Sequence, residues 1–521
     1  MQTLESYLCG SWAGGEAPHR PLHNPTTGEQ VAQVSSKGLD LNAAVQYARD
    51  VGGPALRAMS FTERGAMLDK AAKAINDHRE ALIELATLNG GNTRKDAKFD
   101  LDGCTGTMAY YARLGHKLGD TTFLVDGNSS RLSGNPRYIG QHISVTRPGV
   151  AVHINAFNFP AWGMGEKAAV SLLAGVPVIS KPATSTALVA YRIMQILAES
   201  GVLPEGALQM LVGSTGDLLD HLGPHDAVAF TGSADTGAKI RGNENIVKNS
   251  VRVNIEADSL NSAVLGPDVE PGSDTWNLFL TEVVRDMTQK AGQKCTAIRR
   301  IFVPKDLLDD AQTDLVNDLE AIKTGNPTLR AVTVSALATQ AQQEDIRAGI
   351  DRLLSEASTV HGGGNGDLTE VEGDGGFFVT PTLLKIEDAH SADAVHAFEV
   401  FGPVATLMPY DGSAADACAL VARGQGSLVS SVYSDDKKFI RDAIFGLAAY
   451  NGRVHIGGKK IADHSPGPGT VMPQMIHGGP GRAGAGEELG GLRGLAFYMQ
   501  RTGVQGNAPL LDKIFGEGAS L

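Results

Sequence analysis

Apolar residues follow two rhythms along this chain. Within the first hundred residues the spacing is helical, with apolar side chains three and four apart over 62–74 and 81–88. Residues 126–147 are polar and alternating, and SSRLSGNPRYIG supplies turn chemistry, so β structure is predicted there. Beyond residue 150 short apolar runs alternate with segments of helix length. VAVHI (150–154), VPVIS (176–180), LQMLVG (208–213), AVAF (227–230) and VRVNI (251–255) read as buried strands. Helices are predicted between them, over 163–173 and through apolar positions 188, 189, 193, 194 and 197. Such repetition predicts an α/β fold with a doubly wound, Rossmann-like parallel sheet.

A second α/β unit is expected after Glu256. Ser273 or Asp274 can cap a helix that places Trp276, Phe279, Leu280, Val283, Val284 and Met287 on one face. That helix ends before GQKCTAIRRIFV, so a loop carrying Cys295 feeds the strand RRIFV. The alternation continues to about Tyr450, broken by a solvent turn at HGGGNGD (361–367). Eight glycines then crowd into residues 477–494, HGGPGRAGAGEELGGLRG.

Glycine makes up 63 of the 521 residues, against a usual share of about 7%. It has no three-residue period, so a demand for backbone freedom at particular loops is the better reading. The length suggests two to four domains. A net charge of −13 gives no basis for nucleic-acid binding. The longest nearly apolar run, 168–179, is far short of the roughly 18–20 residues that cross a bilayer. No signal-peptide pattern opens the chain, and Cys9, Cys104, Cys295 and Cys418 are too scattered for a disulfide framework or a metal site. A cytoplasmic protein with reduced thiols, no resident metal, and neither membrane nor nucleic-acid partners is expected.

Cys295 lies on a Gly-Gln-Lys-Cys-Thr loop beside Lys294, a setting that predicts a lowered thiol pKa. The other three cysteines lack such a setting. Glu256 ends a strand at the carboxyl edge of the predicted sheet, where open α/β sheets place ligands. Asn158, in HINAFNFPAWG, follows another strand at that edge and carries an amide suited to an oxyanion. Lys167 and Lys181 lie one strand apart, and Lys181 suits a ribose or phosphate. FTGSADTG (230–237) leaves a strand and opens a helix, so Gly232, Ser233 and Gly237 would let backbone N–H groups approach a pyrophosphate. Each signal alone is weak; their order along the chain is specific.

FNFP, KPA, FTGS, the glutamate at a strand end, GQKCTA and EVFGPV, in this order, resemble the aldehyde dehydrogenase superfamily over nearly the whole chain. INAFNFPAWGM, NIEADSLNS, VVRDMTQKAGQKCTAIRR and HGGPGRAGAGEELGGLR are most similar to the dehydrogenase part of the bifunctional ring-opening proteins of phenylacetate degradation. Similar signatures occur in the semialdehyde dehydrogenases of the aerobic benzoyl-CoA pathway. The resemblance implies Cys295 as nucleophile, Asn158 with the Cys295 N–H as oxyanion donors, Glu256 as base, and Lys167 as a proton-relay lysine. It implies a cofactor set of Lys181, Ala183, Thr184, Gly213, Thr231, Gly232, Ser233, Gly237, Glu399 and Phe401. Lys181 would meet the adenosine ribose, Gly232 and Ser233 the pyrophosphate, and Glu399 with Phe401 the nicotinamide-side ribose.

Thr184 stands where many NAD-preferring members carry a glutamate, so NADP is expected in preference to NAD. The glycine-rich tail and AFNFPAWG suggest a less aromatic mouth, open to a long acyl-CoA semialdehyde. The expected substrate is 3-oxo-5,6-dehydrosuberyl-CoA semialdehyde, with 3,4-dehydroadipyl-CoA semialdehyde as the alternative. Glu256 argues for hydrolysis over release to CoA; a catalytically idle scaffold is the alternative of another class. The implied layout is a cofactor domain over 1–129 and 148–256 and a catalytic domain over 257–455. Oligomerisation strands are expected at 130–147 and 495–510, with 456–494 returning to the cofactor domain. A homodimer or higher assembly follows, and the hydratase of the bifunctional relatives would be a partner or a fused domain outside this chain.

Overall fold

The computed structural model describes residues 2–373 and 375–520. All five predicted strands after residue 150 are present. They form the parallel part of a seven-stranded sheet, in the order Arg252–Glu256, Ala227–Thr231, Ala151–Ile154, Val178–Lys181 and Leu208–Met210. Chain order reverses between Ala151–Ile154 and Ala227–Thr231, which makes their carboxyl ends the switch point where doubly wound sheets leave a ligand crevice. Register puts the candidate chemistry on that edge: Ile154 pairs with Lys181, and Thr231 with Glu256.

Ser6–Leu8 and Ser11–Ala13 complete this sheet as antiparallel edge strands. Gln2–Leu4, Arg20–His23 and Gln30–Val34 form a small sheet beside it. The start of the chain is therefore β and not helical as its spacing suggested. Strands of three to five residues are too short to display alternation, and they exist because they pair with strands already formed. The expected helices do follow, at Phe61–Asp77 and Arg79–Gly90. Ser60 and Glu63 form a reciprocal capping box at the start of the first.

The second seven-stranded sheet runs Ser358–His361, Thr382–Lys385, Val404–Tyr410, Arg300–Pro304, Ser262–Leu265, Ser427–Tyr433 and Asn451–Gly457, and only the first strand is antiparallel. Ser273 caps the helix Asp274–Thr288 by accepting from Trp276 N–H. The chain then turns sharply through left-handed backbone at Lys290, Ala291 and Gly292 (φ 55°, 52° and 69°). A Cβ at Gly292 would strike the Gly402 carbonyl, so only glycine lets the nucleophile loop lie against EVFGPV.

Phe123–Arg131, Tyr138–Thr146, Met499–Asn507 and Ala519–Ser520 form a separate four-stranded sheet. Its first strand starts earlier than the sequence suggested, and residues Leu492–Tyr498 are helical before the last long strand begins. The glycine-rich tail is an antiparallel hairpin, Ile476–Gly479 with Gly486–Leu489. It lies against the strand that carries Glu256: Ala257 N–H donates to Ala483 O at 3.1 Å. Gly484 and Gly486 face the Ile255 carbonyl with no room for a Cβ. Among the described residues no helix is long and apolar enough to cross a membrane.

Candidate active site

Cys295, Glu256, Asn158 and Lys167 come together on one cleft between the two sheets. The loop that carries Cys295 is pinned from both sides. Asn261 Nδ2 donates to Cys295 O (2.8 Å) and Ala297 O (2.9 Å). Arg299 donates to Gly292 O (3.0 Å), Lys294 O (3.2 Å) and Gly402 O (2.7 Å). Neither residue stood out in the sequence, because a positioning role shows only once the carbonyls it gathers are known.

Lys294 does not activate the thiol. It turns away from the cleft to Asp286 Oδ1 (3.0 Å) and Gln289 Oε1 (2.8 Å), both on or beside the preceding helix. The Cys295 thiol is instead pushed well above its ordinary pKa, first by burial and then by the Glu256 charge. A resting thiol of this kind needs a base to become a nucleophile.

Glu256 is the nearest carboxylate placed to act as one. Its Oε1 lies 3.0 Å from His477 Nε2, which is itself 3.7 Å from Cys295 Sγ. Thr231 Oγ1 donates to Glu256 Oε2 at 3.4 Å. Burial alone would raise the Glu256 carboxyl, but His477 and Lys167 outweigh it and hold the group below its ordinary value. Burial would likewise lower His477, and the Glu256 charge reverses this. His477 opens the glycine-rich motif, and its neighbours hid it: nothing in HGGPG indicates that the imidazole meets a strand end more than two hundred residues away.

Lys167 Nζ sits between Glu166 Oε1 (3.4 Å) and Glu488 Oε2 (3.2 Å), all three buried. Burial would lower the ammonium, but Glu488, Glu166 and Glu256 keep it charged. Burial raises Glu166 to about 7 despite Lys167. The two glutamates were not singled out from the sequence. Asn158 Nδ2 donates one hydrogen to Gln293 O at 2.9 Å, leaving the other for the cleft. The Cys295 N–H has no acceptor among the described residues.

The cleft wall is aromatic, contrary to the expected glycine-lined mouth. Phe99, Phe159 and Trp162 meet edge to face, with centroids 5.2–6.0 Å apart. The tail glycines serve close backbone packing behind Glu256 instead.

The residues expected to hold a cofactor lie at the carboxyl edge of the first sheet and in the segment before Val404–Tyr410 of the second. Lys181 is half-buried, with its amine lowered to about 8 by burial and by Arg20. Ala183 is extended (φ −60°, ψ 134°) and leads into the short turn Thr184–Thr186. Thr184 Oγ1 donates to Gly213 O at 3.1 Å, and Gly213 has φ 100°. Gly232 N–H donates to Glu256 O at 3.1 Å, which closes the loop over Thr231. Ser233 caps the helix Ala234–Arg241, whose Ala234 N–H already donates to Asp258 Oδ1 at 3.0 Å. One of the N–H groups of this helix end is therefore already taken by a carboxylate. Gly237 faces inward, where a Cβ would come within 2.9 Å of Ile255 Cγ2; it serves helix-to-sheet packing and not phosphate approach. Glu399 accepts from Ser259 N–H (2.9 Å) and pairs with Arg299 (3.4 Å); burial raises it to about 7. Phe401 packs edge to face on Phe157 at 5.8 Å.

Comparison with known proteins agrees with this geometry. The model of the aldehyde dehydrogenase family matches residues 12–504. The chain is 44% identical over 479 residues to 3,4-dehydroadipyl-CoA semialdehyde dehydrogenase of Aromatoleum evansii, covering 92% of this chain and 93% of that one. It is 41% identical over 181 residues to protein MaoC of Klebsiella aerogenes, covering 35% of this chain and 52% of that protein. Its fold matches a betaine aldehyde dehydrogenase point mutant of Staphylococcus aureus in complex with NAD+, with TM-score 0.83, 23% identity and 98% of each chain covered. A buried cysteine, carboxylate and amide converging on a switch-point crevice, together with a family match over nearly the full length, make the conclusion direct: this chain belongs to the aldehyde dehydrogenase family.

Proposed function

We propose that this enzyme oxidises a CoA-linked semialdehyde, 3,4-dehydroadipyl-CoA semialdehyde, to its carboxylate, using NADP. The convergence of Cys295, Glu256 and Asn158 carries the chemistry. The relative at 44% identity supports this substrate over the phenylacetate-derived one.

The residues at this sheet edge would hold a dinucleotide. Lys181 makes no hydrogen bond or ion pair among the described residues, and the Arg20 charge reaches it, so an anionic group there would be favoured. Thr184 adds no carboxylate there, which supports NADP over NAD. When bound, the nicotinamide accepts hydride. Glu256 takes the thiol proton, and Cys295 Sγ bonds to the aldehyde carbon. Asn158 Nδ2 and the Cys295 N–H then hold the oxyanion. Loss of hydride from that carbon leaves a thioester on Cys295. Glu256 next takes a proton from water, the hydroxide bonds to the thioester carbon, and the C–S bond breaks to release the carboxylate. The buried Lys167 with Glu166 and Glu488 lies beside Glu256 and can carry its proton away.

The four-stranded sheet supports pairing of two copies into a homodimer or higher assembly through its long strands. The charge and the scattered free cysteines support work in the cytoplasm. The decisive measurement is NADPH formation across short aldehydes, the dehydroadipyl-CoA semialdehyde and the dehydrosuberyl-CoA semialdehyde. A higher kcat/KM for a short aldehyde or the dehydrosuberyl compound would overturn the substrate, and a higher value with NAD would overturn the cofactor.

A further inference from the structure

We propose that Cys295, His477 and Glu256 form a binding site for a soft divalent cation, Zn2+ foremost, whose occupation reversibly blocks the enzyme. The inference is independent of which aldehyde the enzyme oxidises. Cys295 Sγ, His477 and Glu256 offer three ligand atoms within 4.8 Å of one another. Thiolate sulfur, imidazole nitrogen and carboxylate oxygen are donors that zinc takes at about 2.3, 2.0–2.1 and 2.0–2.2 Å. At a tetrahedral angle, those bond lengths put sulfur and nitrogen about 3.6 Å apart and nitrogen and oxygen about 3.4 Å apart. The separations in this site are 3.7 Å and 3.0 Å, so the donors already stand near the required spacing.

Two further observations point inward. Glu256 Oε1 is buried and, although near His477 Nε2, makes no hydrogen bond of acceptable geometry. The cleft lies against Cys295, leaving a fourth position for water, the arrangement of three protein ligands plus solvent common in open zinc sites. The neighbouring cluster of Glu166, Glu256 and Glu488 is not equivalent, because the Lys167 ammonium already sits beside Glu166 and Glu488.

Binding breaks the Cys295 S–H bond and forms a sulfur–metal bond, with the thiol proton released to solvent. His477 coordinates through Nε2 as neutral imidazole, so any imidazolium proton also leaves; nothing is oxidised or reduced. While the metal is held, the sulfur pair cannot attack a carbonyl and Glu256 cannot take a proton.

Titration of the cofactor-free enzyme with Co2+, without added thiols or chelators, tests this. A thiolate-to-cobalt charge-transfer band should saturate at about one equivalent, as expected for one ligand set. It should vanish in Cys295→Ser, and His477→Gln should weaken binding at least tenfold, by about 1.4 kcal/mol. Zn2+ should displace the cobalt and slow alkylation of Cys295 by iodoacetamide, and EDTA should restore turnover. The alkylation arm uses the unsubstituted enzyme, so a variant that fails to fold leaves the test standing. Absence of the band, Zn2+ affinity unchanged in both folded variants, or alkylation unaffected by Zn2+ would each overturn the proposal.

Discussion

Replacing His477 by glutamine removes a charge from the neighbourhood of Glu256 while keeping a donor of similar reach. In the native enzyme His477 Nε2 lies 3.0 Å from Glu256 Oε1, and both groups are almost fully buried. An opposite charge at such a distance lowers a carboxylate by about 1–3 pH units. Lys167 continues to act after the substitution, so a rise of about 1–2 units in the Glu256 pKa is expected, or about 1.4–2.7 kcal/mol. Glu256 works as a base only when ionised. Its folded pKa is depressed, so activity that depends on it is lost as pH falls, and the acid limb of kcat against pH should move upward by that amount. Because the two groups titrate together, the limb reports the pair and not one residue. The assay is kcat and kcat/KM from about pH 5 to 9, beside the pH dependence of Cys295 alkylation, with a thermal melt to verify folding. An unmoved acid limb in a folded His477→Gln enzyme would refute the reasoning and leave His477 as packing.

Three other substitutions separate the remaining roles. Glu256→Ala should cut steady-state turnover by about 10²–10⁴-fold and slow the pre-steady-state formation of NADPH as well, since thiol deprotonation and hydrolysis both lose their base; full turnover would remove Glu256 from both steps. Thr184→Glu should lower the NADP-to-NAD ratio of kcat/KM at least about tenfold, since a carboxylate near Lys181 repels a 2′-phosphate; an unchanged ratio in parallel kinetics would place the selectivity elsewhere. Gly292→Ala puts a side chain on left-handed backbone (φ 69°) and against the Gly402 carbonyl, so a loss of about 2–4 kcal/mol is expected by denaturant unfolding together with reduced kcat; wild-type behaviour would deny the contact.

The parallel strands after residue 150 were legible because most are buried on both faces and so appear as largely apolar runs, although Arg252 and Val253 are partly exposed. The edge strands Ser6–Leu8 and Ser11–Ala13 were not, because they are held by pairing to Leu208–Met210 and to each other. Asn158, Glu256 and Cys295 were readable because each follows or precedes a strand at a recognisable edge. The aromatic wall was not legible: Trp162 sits in a motif whose chemical signal is its asparagine, and Phe99 lies on a helix remote in sequence.

The glycine-rich tail marks the division most clearly. By itself the sequence determined the family and the strand order's raw material, and it singled out the residues proposed as nucleophile and base, since these depend on residue type and local pattern. Only the tertiary structure decided that Lys294 turns to Asp286 and not to Cys295, because sequence adjacency does not set side-chain direction. Only the folded chain brought His477 to within reach of both Glu256 and Cys295. Its glycine neighbours make this close packing achievable, but which backbone they pack against depends on contacts hundreds of residues apart, and local pattern carries no record of those.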